Sequence, residues 1–215
     1  EYERKRMKIA IVNNGVSAGG RRFETTLIRG LREVRPNWRV EYFTDEPSFT
    51  ETAIREQLTS WGVSIRPYQM LGLSLNTPGK IGANQTQTIK ASIGLSEFDG
   101  FIFTWPYDFC CPDIAAPIIF TPHDFNFCHV FDTILFPRNY ASAICENLDV
   151  FFARATAVVA TDFIKSEADQ FLPKHRGKAQ VVPVAAMSTL PEVSEVESQK
   201  IMQAFGLTPP YFLYP

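Results

Sequence analysis

The stretch from Met7 to Gly20, Met-Lys-Ile-Ala-Ile-Val-Asn-Asn-Gly-Val-Ser-Ala-Gly-Gly, narrows the folds open to this chain more than any other part of it. Ile9, Ala10, Ile11 and Val12 make a short unbroken apolar run, which suits a parallel strand covered on both faces better than a half-exposed one. Asn13, Asn14 and Gly15 follow, then Gly19 and Gly20, so the backbone turns sharply with its N–H groups unshielded by side chains. From Arg22 the positions Phe23, Leu27, Ile28, Leu31 and Val34 recur at helical spacing and stop before Pro36. Amides next to the positive end of a helix form a seat for an anion such as phosphate. The same loop also occurs where glycines merely let the chain pass close to a sheet. The dinucleotide pattern G-x-G-x-x-G is absent, because Val16, Ser17 and Ala18 separate Gly15 from Gly19, so no nicotinamide or flavin site is expected.

The rest of the chain repeats the strand and helix alternation. Strands are predicted over Trp38 to Thr44, Val63 to Arg66, Phe101 to Thr104, Pro117 to Thr121, Ala157 to Ala160 and Gln180 to Val184. Helices are predicted on the faces Ile54, Leu58 and Trp61, ended by Gly62; Ile144, Leu148, Phe151 and Phe152; and Ile164, Ala168, Phe171 and Leu172. Pro67 to Gly100 reads as a long loop with a helix over Thr86 to Leu95. Such alternation specifies an α/β fold: a Rossmann-like, doubly wound, mainly parallel sheet with helices on both faces. A content of 45% hydrophobic residues among 215 is enough to fill one such core.

Several chemistries are disfavoured. Twenty-one basic against 23 acidic residues, with no long run of either sign, give no field suited to nucleic acid. No run of about 18 apolar residues spans a membrane, and no signal-peptide core precedes Met7; the few cysteines fit a reduced, cytoplasmic compartment, so a cytoplasmic protein at most peripheral to the inner face of the membrane is expected. Cys110, Cys111, Cys128 and Cys145 do not form a disulfide framework, and with His123 and His129 they match no common zinc spacing; no metal is expected. Gly79-Lys80 lacks the upstream glycine and the Ser or Thr of a nucleotide-triphosphate loop, since Ile81 stands there.

Open parallel sheets gather ligands at the carboxyl ends of their strands. Trp105, Tyr107 and Asp108 after one strand, and His123 and Asp124 after the next, are therefore expected near the mouth formed by Gly19 and Gly20. Each has a plainer reading. His123 is equally a strand-end histidine satisfied by a backbone carbonyl, Asp124 orients His123 or caps the following turn, and Thr161 is a helix cap or a phosphate contact. Lys165 and Arg138 are weaker candidates for anion partners.

In order along the chain, Met7 to Val12 leading to Gly19-Gly20, then Thr121-Pro122-His123-Asp124, then Val158-Val159-Ala160-Thr161-Asp162-Phe163-Ile164-Lys165, resemble the N-terminal domain of a GT-B glycosyltransferase of the group 1, family 4 type. Leu207 to Tyr214 is similar to that family's link into its second domain. The resemblance implies a retaining, metal-independent transfer, without a cofactor, of a sugar from a nucleotide-diphosphate sugar as co-substrate to a saccharide or lipid-linked acceptor. It implies that Gly19, Gly20 and Thr161 approach the donor phosphates and sugar, that His123 faces the transferring sugar as the catalytic residue, and that Trp105, Tyr107 and Asp124 meet the acceptor.

By this reading residues 1–6 are a lead-in, 7–193 form the acceptor-side domain, and 194–215 carry a linker helix and the first strand of an absent C-terminal domain. The linker helix opens with a capping box, Ser194 and Glu197, and closes at Gly206. The C-terminal domain would be this chain's chief partner, and without it little turnover is expected. The alternative is a free-standing Rossmann-like module that binds a phosphate-bearing small molecule without catalysis.

Overall fold

A computed structural model describes residues 6–13, 18–45, 52–68, 95–108, 111–129, 138–183, 194–204 and 206. Two compact units divide the chain, Glu1–Val184 and Ala185–Pro215. In the first, β1 (Lys8–Val12), α1 (Ala18–Val34), β2 (Arg39–Asp45), α2 (Thr52–Ser60) and β3 (Ser64–Tyr68) come in strict alternation. They are followed by β4 (Gly100–Phe103), β5 (Ile118–Phe120), α3 (Asn126–His129), α4 (Arg138–Arg154), β6 (Thr156–Val159), α5 (Asp162–Phe171) and β7 (Gln180–Val181). The seven described strands lie in the order β3-β2-β1-β4-β5-β6-β7, and every pair is parallel.

Alternation along each strand assigns its side chains to two faces. Ile9, Ile11, Val40, Tyr42 and Ile102 join Ile28 of α1 and Leu58 of α2 in one core. Ala10, Val12, Phe43, Phe101, Phe103, Phe120 and Val159 join Ile144, Leu148, Phe151 and Phe152 of α4, and Ala168 of α5, in the other. Helices thus cover both faces. The second core is dominated by aromatic edges: Phe151 meets Phe103 at 5.4 Å and Phe120 at 5.1 Å, and Phe152 meets Phe120 at 5.0 Å between ring centres. Burying each such ring contributes about 1.5–3 kcal/mol.

Boundaries follow from local chemistry. Gly62 adopts φ 71°, the left-handed conformation glycine tolerates, and its N–H returns to the Thr59 carbonyl at 2.9 Å, stopping α2. Thr161 Oγ1 accepts from the Ile164 N–H at 3.2 Å and caps α5. Two expectations need correction. Helix α1 begins at Ala18 and not after the glycine pair, so Gly19 and Gly20 belong to its first turn. Val34, expected on its apolar face, is 63% exposed, because the helix has by then run past the edge of the core. The helix expected over Thr86 to Leu95 and the strand expected over Pro209 to Pro215 lie outside the described residues, apart from Leu95, which opens a 3-10 turn to Glu97.

Glu41, in the middle of β2, is fully buried. Lys8 Nζ at 3.3 Å, Arg39 at 2.9 Å and Arg66 at 3.0 Å surround its carboxylate, so the charge is compensated by ion pairing although the angles fall short of hydrogen bonds. In the second unit, α6 (Glu195–Ala204) is capped by Ser194, whose Oγ accepts the Glu197 N–H at 3.3 Å; this is one half of the expected capping box, and the Glu197 carboxylate takes its bond from the Ser194 hydroxyl, at 2.9 Å, where the full motif would use the Ser194 N–H. Among the described residues no helix is long and apolar enough to cross a membrane.

Candidate functional site

The strand order reverses at β1. From it the chain winds outward through β2 to β3, then returns to β4 on the other side, so a crevice opens between the carboxyl ends of β1 and β4. Val12 pairs with Phe103, and the residues that follow, Asn13 and Thr104, flank that crevice. The Thr104 N–H donates to the Val12 carbonyl at 3.2 Å and the Asn13 N–H to the Phe43 carbonyl at 3.0 Å, which fixes both residues to the sheet.

A buried carboxylate binds these strand ends together. Glu24, in the second turn of α1, is 2% exposed. Its Oε1 accepts from the Asn13 side-chain amide and, at 2.5 Å, from the Thr104 hydroxyl, while Oε2 accepts from the Tyr42 hydroxyl at 2.7 Å. Ends of β1 and β4, the middle of β2 and the start of α1 are therefore joined through one side chain. The sequence reading missed this cluster. A signal existed, since Glu24, Ile28 and Leu31 share one helical face at i, i+4 and i+7, and a carboxylate on a buried stripe requires partners.

Thr104 also holds His123. The imidazole Nε2 lies 2.6 Å from the Thr104 carbonyl oxygen. A carbonyl only accepts, so Nε2 carries the proton and, in the neutral ring, Nδ1 is the acceptor. Burial is the largest influence on this imidazole and pushes its pKa below the ordinary value of 6.5; the Thr104 carbonyl and the Asp124 carboxylate oppose it without reversing it. Near neutral pH His123 is uncharged. The backbone-satisfied arrangement expected of a strand-end histidine is thus realised at one nitrogen, and among the described residues no donor reaches the other.

Aromatic rings confine the imidazole. Trp105 stacks on it with centroids 5.5 Å apart and planes 29° from parallel, and Phe23 meets it edge-on at 5.1 Å. Phe23 stands three and four residues after Gly20 and Gly19, on the same side of α1. The His123 ring therefore packs one turn below the helix start, whose first amides have no intrahelical acceptor. Tyr107, buried in a 3-10 turn, places its hydroxyl against the main chain of both His123 and Asp124. Burial, reinforced by the Asp124 carboxylate, pushes the phenol pKa up, so it stays protonated. Asp124 Oδ1 accepts the Asn126 N–H at 3.0 Å, which makes it the cap of the short turn into α3.

The structure thus brings Trp105, Tyr107, His123 and Asp124 together beside the beginning of α1. Thr161 is occupied as the cap of α5, and Lys165 donates to Asp169 at 3.1 Å. Of the cysteines and histidines considered for a metal, Cys110 lies outside the described residues, Cys128 faces Cys145 with sulfurs 3.6 Å apart, and His129 pairs with Glu167. Among the described residues no group of three or more His, Cys, Asp or Glu side chains converges as metal ligands would.

Sequence comparison finds no matching family model and no matching curated protein. Solved structures do share the fold. The chain superposes on a UGT transferase from Siraitia grosvenorii in complex with UDP with a TM-score of 0.52 at 14% identity, over 94% of this chain and 56% of that one. Against apo UGT2 of Phytolacca americana the TM-score is 0.50 at 13% identity, over 92% and 55%. The chain spans just over half the length of these structures. At such identity the likeness establishes architecture alone, and with the seven-stranded parallel sheet it identifies the chain as having a Rossmann-like α/β fold shared with these structures.

Proposed function

We propose that this chain is the acceptor-side, N-terminal domain of a retaining GT-B glycosyltransferase of the group 1, family 4 type. It moves a sugar from a nucleotide-sugar donor to a saccharide or lipid-linked acceptor, in the cytoplasm or at the inner membrane face. The observation that carries this reading is the meeting of a neutral histidine, an aromatic platform and a glycine-rich helix start at the point where the strand order reverses. Its agreement in fold with one transferase that holds UDP adds support.

In this mechanism the amides of Ala18, Gly19 and Gly20 face the donor phosphates. Absent side chains at the two glycines permit close approach, and the helix start offsets the charge that grows on the departing nucleoside diphosphate. His123 accepts a hydrogen bond from a hydroxyl of the transferring sugar through Nδ1, since its Nε2 proton is committed to Thr104. Trp105 and Asp124 lie beside it for the acceptor, whereas Tyr107, expected there with them, is buried with its hydroxyl engaged by the main chain of His123 and Asp124. No metal takes part. The donor is gripped mainly by a second domain, so the 215 residues alone turn over little.

The proposal is tested by expressing this chain alone and together with any coding sequence that follows Pro215, then assaying both for transfer from nucleotide sugars and for their hydrolysis. Turnover confined to the longer form is the expected result. Tight binding of a nucleotide or other phosphate-bearing small molecule by the 215 residues, with turnover in neither form, would replace the transferase reading by that of a binding module.

A further inference from the structure

The hydroxyl of Tyr107 is used to capacity. It accepts the main-chain N–H of His123 at 2.7 Å and that of Asp124 at 2.9 Å, and it donates to the Asp124 carbonyl at 2.8 Å. A phenol oxygen offers one proton and two lone pairs, and all three are engaged. The ring is 5% exposed, set edge-on to Trp105 at 4.9 Å and to Phe127 at 5.7 Å. The last sheet bond here is from the Thr121 N–H to the Phe103 carbonyl at 3.0 Å; past it, up to α3, the His123 and Asp124 amides take from a side chain the partner that a sheet would otherwise supply.

We infer that Tyr107 is the positioning residue for His123: its hydroxyl sets the main chain of the His123–Asp124 pair, so that the imidazole meets the Thr104 carbonyl through Nε2 and keeps Nδ1 as its acceptor. The side chain of His123 has two torsions between its backbone and its ring. Tyr107 fixes one end of that linkage and Thr104 the other, and both come from the segment that leaves β4. Tyr107 therefore acts through His123 and touches no reacting atom. The consequence for sugar transfer rests on the role given to His123 above; the positioning itself does not.

The test is Tyr107→Phe in this chain, read by nitrogen NMR of the imidazole across a pH titration. The parent should show the Nε2–H tautomer and a midpoint below 6.5. In the variant the two ring nitrogens should become mixed in protonation, the midpoint should move up toward 6.5, and the His123 and Asp124 amides should exchange with solvent about tenfold faster or more. Phe127→Leu disturbs packing on the same ring but removes none of these hydrogen bonds, so it should lower stability and leave tautomer and midpoint as they were. The inference is overturned if Tyr107→Phe keeps the parental tautomer and titration, or if Phe127→Leu changes them equally.

If Tyr107→Phe does not fold, amide exchange in the parent decides. Protection of the His123 and Asp124 amides by about 100-fold supports the clamp, and exchange at the rate of an unstructured peptide refutes it. Should Tyr107→Phe shift the imidazole while transfer by the longer form stays unchanged, the positioning stands and the sugar-facing role of His123 falls.

Discussion

Glu24→Ala is expected to destabilise the chain by about 3 kcal/mol. The substitution removes an acceptor on which the Asn13 amide, the Tyr42 hydroxyl and the Thr104 hydroxyl converge inside the protein. Each buried donor that loses this acceptor costs up to about 1–3 kcal/mol; the Asn13 amide keeps its second acceptor, the Tyr42 oxygen at 3.2 Å, and water entering the vacated space recovers a further part of the sum. Glu24→Gln retains a carbonyl oxygen for Asn13 and Thr104, and its amide can donate to the Tyr42 oxygen, so its cost should be about 1 kcal/mol. Urea denaturation distinguishes the two, with the midpoint falling at constant slope. A Glu24→Ala midpoint equal to the parent's would mean that the carboxylate does not hold the strand ends. The effect should also reach His123, because the carbonyl that accepts the hydrogen bond of its Nε2–H belongs to Thr104.

His123→Ala, made in a form that turns over, should reduce transfer by about 100-fold or more and leave the fold intact. The size follows from losing a hydrogen bond that strengthens as charge develops on the sugar. The pH dependence has a definite sign. Protonation at Nδ1 destroys the acceptor, so activity should fall on the acid side with a midpoint below the ordinary 6.5, in the direction that burial imposes. The same depression acts on stability: between the folded value and 6.5 the unfolded chain holds a proton that the folded chain does not, so stability falls as pH drops through that window. In His123→Ala that part of the slope should vanish. Activity within threefold of the parent would remove His123 from the mechanism.

The fold was legible because its inner strands β1, β4, β5 and β6 are short, almost unbroken apolar runs. Ile9 to Val12 and Phe101 to Phe103 are buried on both faces, which leaves no period to misread, and Ile144, Leu148, Phe151 and Phe152 mark their helix by spacing alone. Helix starts were harder. Gly19 and Gly20 carry poor helix propensity, yet tertiary context admits them to the first turn of α1, and a loop reading based on glycine puts the boundary too late. Strand ends were enough to expect Trp105, Tyr107, His123 and Asp124 as neighbours at one candidate site. What escaped was its polar scaffold. Glu24 and Thr104 are 80 residues apart in sequence, Tyr107 and His123 are 16, and no local pattern shows that a hydroxyl will meet a particular amide or carboxylate. Such pairings are fixed by sheet order, which the alternation of elements leaves open.

The central claim is that a sugar-transfer half-site lies at the crevice between β1 and β4. Titration of the isotopically labelled chain with UDP-glucose, followed by NMR at every assigned amide, tests it most directly. Shifts should gather at Asn13, at Ala18 to Gly20, at Thr104 and Trp105, and at His123 and Asp124, with the His123 ring remaining in its Nε2–H form. Shifts confined to α5, β7 or the opposite, amino-terminal edge of the sheet, with those residues unmoved, would contradict it.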